Sequence, residues 1–179
     1  MSRTILLVLP VWLMLVACGS LGKVEQGRVI AYDQHTKRVT LIREPNVLPP
    51  VTIDAPNDPD EMGPAPSAGG LIAVDSAHRR LVVYDRTTQS LKTIAYTPLI
   101  ERRNIAKSPG PPLVDRTGKT ITFYAASDHE LITIAASDDL LAMPSDTWRA
   151  GDVVRYYYKD PSRALRLMNV TKTDLSKGG

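Results

Sequence analysis

Apolar and polar residues alternate along most of the chain after residue 24, a spacing that is typical of β-strands with one buried face. Residues 27–33 and 38–43 are two such runs, and the polar residues between them predict an antiparallel hairpin. Further pairs of the same kind are 71–75 with 80–85, 80–85 with 91–96, 119–125 with 130–134, and 152–159 with 164–171. The pattern predicts an all-β fold of antiparallel hairpins.

The last hairpin also predicts which side chains face the core. Leu165 and Leu167 are two residues apart, so strict alternation places both on the buried face and Arg166 on the solvent face. In the other strand, the first and third rings of 156–158 share one face and the middle ring lies on the opposite face. We expect one of these faces to enter the core; an exposed aromatic recognition face is the alternative.

The larger organisation has two interpretations. A hairpin, a proline-containing link, an Ala-Gly turn and another hairpin occur in that order twice, through 66–70 and through 148–152. This order fits one continuous sheet or barrel, and it also fits two small related β modules. The predicted module boundaries are an N-terminal module at 24–106 with a proline-rich insertion, a linker at 107–118, a C-terminal module at 119–174 and a tail at 175–179.

Prolines concentrate in 44–66 and 108–112. Proline is unsuited to helix interiors and to central strands, because it lacks the N–H that the backbone ladder needs. Both segments are therefore predicted to be loops or extended covers.

The start of the chain has the pattern of a signal peptide at 1–17. One positive charge precedes an uncharged apolar run at 5–17. This run is shorter than the roughly 20 residues that a helix needs to cross a bilayer, so it does not predict a membrane span. The sequence Leu15-Val16-Ala17-Cys18 has the form of a bacterial lipobox, which predicts lipidation at Cys18 and a short lipid-anchored leader at 18–23.

Cysteine content and charge exclude several classes of protein. Cys18 is the only cysteine, so a lipid on its thiol leaves the folded part without a disulfide or a cysteine-ligated metal. Removal of 1–17 leaves 21 basic and 19 acidic residues, a formal net charge of +2. This balance is too weak to indicate nucleic-acid binding.

Three stretches resemble an uncharacterised family of bacterial lipoproteins that carries a domain of unknown function. They are the lipobox, the Asp-Glu-Met-Gly-Pro-Ala-Pro link at 60–66, and the C-terminal hairpin motif at 157–159 and 164–172. The resemblance covers nearly all of the chain after Cys18, and it implies lipidation at that residue but no activity or ligand.

A second resemblance is to the five-stranded OB-type barrels of periplasmic metal-handling proteins. It rests on Gly-X-Val hairpins and on the stretch from Met143-Pro144 to Gly151-Asp152-Val153 before a final hairpin. It concerns the fold and carries no function with it.

Candidate ligand and catalytic groups are sparse. The histidines all fall at predicted turns, which favours solvent-exposed positions; they are His35, His78 and His129. A soft metal such as copper would need thioether and imidazole ligands, and the one group that could supply them comprises Met143, Met168 and His129 with the ring of Trp148. The acidic group Asp54, Asn57, Asp58, Asp60 and Glu61 lacks the order of a calcium loop and is predicted to be a solvated loop.

No hydrolase, metalloprotease or phosphate-binding motif is present in the sequence, so we do not expect an enzyme or a cofactor. The prediction is a membrane-anchored envelope lipoprotein that acts by binding or by structural assembly. Its expected partners are the membrane, through the lipid, and an envelope protein. Gly19 stands where an aspartate is typical of inner-membrane retention, which favours the outer membrane, facing the periplasm. The alternative function is a periplasmic soft-metal-binding protein with an OB-like barrel.

Overall fold

The computed structural model describes residues 22–173, and it is mostly β-structure, which confirms the predicted fold class. Its strands are β1 Lys23–Asp33, β2 Arg38–Arg43, β3 Val47–Asp54, β4 Leu71–Asp75, β5 Arg80–Asp85, β6 Ser90–Ala95, β7 Pro98–Arg102, β8 Leu113–Asp115, β9 Thr120–Ala125, β10 Glu130–Ala135, β11 Val153–Asp160 and β12 Arg163–Asn169. One short helix, α1 Asp138–Ala142, and the 3-10 helices Pro59–Glu61 and Ser145–Trp148 complete the structure. All five predicted hairpins are present. Within 22–173, no helix has the length and apolar character needed to cross a bilayer.

Five strands form a ring-like sheet in the order β1-β11-β12-β3-β2. All neighbours are antiparallel except β12 and β3, which are parallel and meet at the single residue pair Arg163 and Asp54. The ring is therefore not a clean barrel, although its strand order is that of a five-stranded OB-type barrel. The ring contains strands from 24–106 and from 119–174, the two ranges predicted as possible modules.

The remaining strands are inserted between β3 and β11 and form two more sheets, β4-β5-β6 and β7-β10-β9-β8. Their inner faces share one hydrophobic cluster, to which Leu81 and Val83 contribute from the first sheet and Ile121 and Ile132 from the second. We call this pair of sheets the sandwich. Trp148 is buried in the same cluster, so the segment that returns to the ring also covers the sandwich core.

A small third cluster joins the ring to the sandwich. Ile30 and Ile42 on the ring pack with Ile72 and Tyr84 on the sandwich. The pairing of β1 with β2 shifts between Val29 and Ala31, so Ile30 is an extra residue in β1. Adjacent residues of a strand point to opposite faces, so Val29 enters the ring core while Ile30 packs on the sandwich. The extra residue then allows Tyr32, three residues after Val29, to pack on the same ring core.

Four hairpin turns are built on one plan. Each begins with an aspartate whose carboxylate accepts hydrogen bonds from backbone N–H groups two or three residues later, and these aspartates are Asp33, Asp75, Asp85 and Asp115. Four residues after each aspartate the backbone has a positive φ, at Lys37, Arg79, Gln89 and Lys119. The plan stabilises tight hairpins whose left-handed position is not a glycine.

Three of these turns also lock a third strand in place. The carbonyl of Lys37 accepts a hydrogen bond from the N–H of Ala55, 2.9 Å away, directly after β3. The carbonyls of Arg79 and Lys119 accept equivalent bonds from Tyr96 and Ala136. The fold is therefore assembled from three similar three-stranded meanders, one in the ring and one in each sheet of the sandwich.

Two details of the sequence interpretation are wrong. Strand β3 lies within 44–66, the segment predicted to be a loop or cover, and it includes Pro49 and Pro50. Its pairing with β2 is irregular between Leu41 and Arg43, and the two prolines fall in that irregular part, where their missing N–H groups are tolerated.

Leu165 and Leu167 do not share the buried face. Leu167 is 1% exposed, whereas Leu165 is 43% exposed. Tyr157 pairs with Arg166 and Tyr158 pairs with Ala164, which leaves Leu165 as an extra residue. This bulge places Ala164 and Leu167, three residues apart, in the same core.

Candidate binding cleft

The chain crosses between ring and sandwich twice, at 66–70 on the way out and at 148–152 on the way back, and the two crossings lie side by side. The N–H of Leu71 donates to the carbonyl of Arg149 at 3.0 Å, and the N–H of Asp152 donates to the carbonyl of Ser67 at 2.9 Å. We call this pair of segments the neck. Its glycines are required by close backbone contact, because a Cβ on Gly69 or Gly151 would overlap backbone atoms of Arg149 or Val29.

A buried polar group stabilises the neck. The carboxylate of Asp152 accepts hydrogen bonds from the N–H of Ser67 at 2.7 Å and from Nδ2 of Asn169 at 2.9 Å. Nζ of Lys172 lies 3.1 Å from the same carboxylate and also donates to the carbonyl of Ala65. Asp152 is therefore neutralised and hydrogen-bonded within the neck.

An open cleft of about 1060 Å³ lies beside the neck. One wall is the neck itself at 148–153, with Arg28 of β1. The second wall is the four-stranded sheet, through Thr122, Tyr124 and Leu131, and the third is the proline-rich loop 106–113. Tyr124 positions the loop, because its hydroxyl donates to the carbonyl of Ile105 at 2.6 Å.

The charged groups that line the cleft are mainly basic. Nη1 of Arg28 donates to the carbonyl of Gly151 at 2.8 Å, and burial lowers the pKa of Arg28, opposed by the nearby charges of Glu44 and Asp152. An arginine nevertheless keeps its charge in a protein. Among residues 22–173, no carboxylate lies within 4.0 Å of the charged nitrogens of Arg28, Lys107 or Arg149. Because Asp152 is already paired, the cleft carries an excess of positive charge.

Trp148 forms part of the cleft wall and has an unusual environment. Its side chain is 1% exposed, and its Nε1 has no hydrogen-bond partner among the described residues. Trp148 and Trp12 are the two tryptophans of the sequence, so removal of 1–17 would leave Trp148 as the single indole of the mature chain.

A second, smaller hollow of about 400 Å³ lies at the other end of β1, where Glu25 joins two tyrosines. The hydroxyls of Tyr156 and Tyr158 each donate to the Glu25 carboxylate at 2.7 Å, and Nη1 of Arg43 lies 3.5 Å from it. The hydroxyl of Tyr158, followed by that of Tyr156 and the charge of Arg43, lowers the pKa of Glu25 against the opposing effect of burial. Burial, with the Glu25 charge, raises the pKa of Tyr156.

Residues 20–178 match the family described as a domain of unknown function, DUF4881. The chain belongs to the DUF4881 family. Comparison with curated proteins and with solved structures found no match to this chain. The family agrees with the uncharacterised domain indicated by the sequence, and it brings no activity, ligand or partner to this DUF4881 chain.

The structure separates most of the predicted candidate residues of the DUF4881 chain. His35 and His78 lie in the exposed turns of different meanders, and only His129 lines the cleft. Met143 packs against the sandwich cluster that contains Trp148, whereas Met168 is on β12 of the ring. Cys18 lies outside the described residues. Asp54 pairs with Arg38, and Glu61 pairs with Arg166, so these two acids of the 54–61 group have cationic partners.

The three tyrosines have the predicted alternation. Tyr156 and Tyr158 are buried in the ring core with their rings stacked at 5.4 Å, and Tyr157 lies on the outer face. The interpretation that one face enters the core is confirmed, and Tyr156 and Tyr158 do not form an exposed recognition face.

The cleft itself was not predicted, because it joins residues that are distant in the sequence. Arg28 and Arg149 come together only because the chain returns to the ring beside the point where it left. The one available signal was the repeated Ala-Gly turn, which marks both crossings without showing that they meet.

Proposed function

We propose that this protein is an envelope lipoprotein, anchored through a lipid on Cys18, and that its folded part binds a ligand without catalysis. The lipobox at 15–18 supports the proposed anchor. The start of β1 at Lys23, five residues after Cys18, is compatible with this anchor, because the first strand lies close in sequence to the proposed lipid. The address that we propose is the outer membrane, facing the periplasm.

The observation that carries the binding role is the basic cleft. Its volume of about 1060 Å³ is slightly above the roughly 300–1,000 Å³ of ordinary small-molecule sites, and the cleft is open to solvent. An elongated ligand suits such a shape better than a compact metabolite does. Two arginines and a lysine that form no ion pair with a carboxylate of the described residues favour an anionic ligand, and the planar guanidinium groups suit carboxylates. We therefore propose an extended peptide that carries carboxylates.

The anchor is tested by Cys18→Ser in the full chain. We expect loss of incorporated fatty acid and loss of lipoprotein-type cleavage, because the thiol is the acceptor of the lipid. A Cys18→Ser protein that still partitions into detergent with the mature mass of the wild type would refute the anchor. Recovery of the wild-type mature protein in the inner-membrane fraction would refute the proposed address.

The cleft is tested by calorimetric titration of the mature lipidated protein in detergent with hexaglutamate and, separately, with hexalysine. We expect binding of hexaglutamate that weakens with salt, together with a change in Trp148 emission. Arg28→Gln should lower the affinity at least severalfold. Arg116→Gln is the matched control, because Arg116 lies in an exposed hairpin turn outside the cleft. The proposed site would be overturned if hexaglutamate did not bind, or if Arg116→Gln lowered the affinity as much as Arg28→Gln does.

A further inference from the structure

Apolar side chains are exposed where the chain enters the fold. Val24 is 62% exposed, Val47 is 39% exposed and Leu48 is 38% exposed. Val24 and Val47 line the same small hollow, so the start of β1 and the start of β3 are neighbours in space. We call these three residues, together with Tyr157, the anchor-side patch.

Tyr157 belongs to the patch because of strand register. Val24 pairs with Tyr157 across β1 and β11, and directly opposed residues of antiparallel strands point to the same face. The neighbouring pair, Glu25 and Tyr156, points into the ring, so Val24 and Tyr157 point outward. The backbone of Gly22 lies against the Tyr157 ring, where a Cβ would overlap the ring atoms. The chain thus enters the fold directly over this tyrosine.

The length of chain before Gly22 limits how far the patch can be from a lipid on Cys18. Four residues span at most about 14 Å when fully extended. The polar layer of each leaflet is itself about 5–8 Å thick. A domain attached this closely must hold some surface against or just above the headgroups. The surface next to the attachment point exposes apolar side chains beside the polar residues of the hollow, and it includes a tyrosine, a residue enriched at membrane interfaces.

We propose that the anchor-side patch rests on the lipid surface and sets the orientation of the domain. This inference rests on the proposed lipid at Cys18. The ladder between β1 and β11 runs from Lys23 paired with Tyr158 to Arg28 paired with Val153, a rise of about 17 Å over five residues. Arg28 and Val153 line the cleft, so contact at the patch holds the cleft away from the membrane, open to the aqueous side.

The test uses single cysteines, because the thiol of Cys18 is consumed by its lipid and an introduced cysteine is then the only free thiol. Val24→Cys, Val47→Cys and the control Leu99→Cys are labelled with an environment-sensitive fluorophore in the mature lipidated protein. Leu99 is a suitable control because it is 57% exposed and lies on the sandwich, outside the cleft. The proteins are reconstituted in vesicles of phosphatidylethanolamine and phosphatidylglycerol that contain nitroxide-labelled lipid.

We expect the labels at 24 and 47 to be quenched several times more strongly by nitroxide lipid than the label at 99. Mass spectrometry first shows that the protein carries the lipid. Equal quenching at the three positions of that protein would overturn the proposed orientation and leave the proposed anchor intact. Absence of the lipid from the wild-type protein would instead refute the proposed function. Val24→Asp combined with Val47→Asp gives an independent readout, since it should lower the quenching of a label placed at residue 48 without changing the lipid content.

Discussion

The backbone of Gly151 lies directly against the carbonyl of Val29, so that a methyl group added to Gly151 would overlap the carbonyl oxygen. The same carbonyl accepts a hydrogen bond from the N–H of Gly69, and the N–H of Val29 donates to the carbonyl of Asp152. One residue of β1 is therefore bonded to both crossings of the neck. The absence of a side chain at Gly151 allows this contact.

Gly151→Ala should lower the free energy of unfolding by at least about 3 kcal/mol, because the new methyl group meets backbone atoms that cannot move independently. Gly63→Ala is the matched control, since a Cβ there would have only ordinary contacts, the nearest at 3.5 Å. It should change stability by less than about 1 kcal/mol. Urea unfolding of the lipid-free domain measures both, and equal effects would contradict the role given to Gly151.

The bulge in β12 makes a second pair of substitutions informative. Leu167→Ala should cost about 2–5 kcal/mol through lost burial and a cavity in the ring core. Leu165→Ala should cost less than about 1 kcal/mol, because its side chain is exposed. Arg166→Ala should also have a small effect, since its ion pair with Glu61 is exposed. Similar losses at 165 and 167 would mean that the residues alternate without a bulge.

The hairpins and the alternation of faces at 156–158 were predictable from the sequence because both follow from a period of two residues. Leu165 was misplaced for the same reason, since an extra residue in a strand leaves no trace in the hydrophobic pattern. Strand β3 was missed because Pro49 and Pro50 are usually excluded from strands, and here they lie where the register is irregular. Long-range contacts, and with them the cleft, depend on the path of the chain between elements.

One local signal was present and would have located the turns more closely. An aspartate precedes the positive-φ residue by four positions in the turns that begin at Asp33, Asp75, Asp85 and Asp115. The physical reason is the acceptance of turn N–H groups by the carboxylate. The recurrence of this aspartate also indicates that the three meanders are similar to one another. The twofold repeat of hairpins and links did not reveal that similarity.

Glu25 should stabilise the ring through its two tyrosine partners. In Glu25→Gln the charged acceptor is lost, and the amide group offers one oxygen where the carboxylate offered two. We expect a loss of about 1–3 kcal/mol, because a tyrosine hydroxyl at the edge of the ring core loses its acceptor. Glu44→Gln, at the same hollow, is the control: Glu44 is exposed and accepts from the side chain of Gln26, so its effect should be below about 0.5 kcal/mol. If Glu25→Gln left the free energy of unfolding unchanged, the two tyrosine hydroxyls would have to find other hydrogen-bond partners in the variant.

Asp85 should give the domain an acid-sensitive component of stability. Nζ of Lys92 lies 2.5 Å from its carboxylate, and the N–H of Thr87 donates to it at 2.8 Å. The lysine first, and then the Thr87 N–H, lower the pKa of Asp85 from its usual 3.8 to about 2. The unfolded chain therefore binds a proton more readily than the folded one between about pH 4 and pH 2, and stability falls as the pH falls through this window.

Asp85→Asn removes the titrating group. At neutral pH the unfolding midpoint of the variant should therefore be lower than that of the wild type. This difference between the two midpoints should shrink as the pH falls from about 4 towards 2. Lys92→Met should reduce the same pH dependence, because the lysine is the largest cause of the lowered pKa. The double variant should then resemble Asp85→Asn alone in this window. Parallel curves for the wild type and Asp85→Asn over the whole acid range would show that protonation of Asp85 is not coupled to unfolding. The experiment thus separates an aspartate that only shapes its turn from one that also holds a charge pair at the edge of the sandwich.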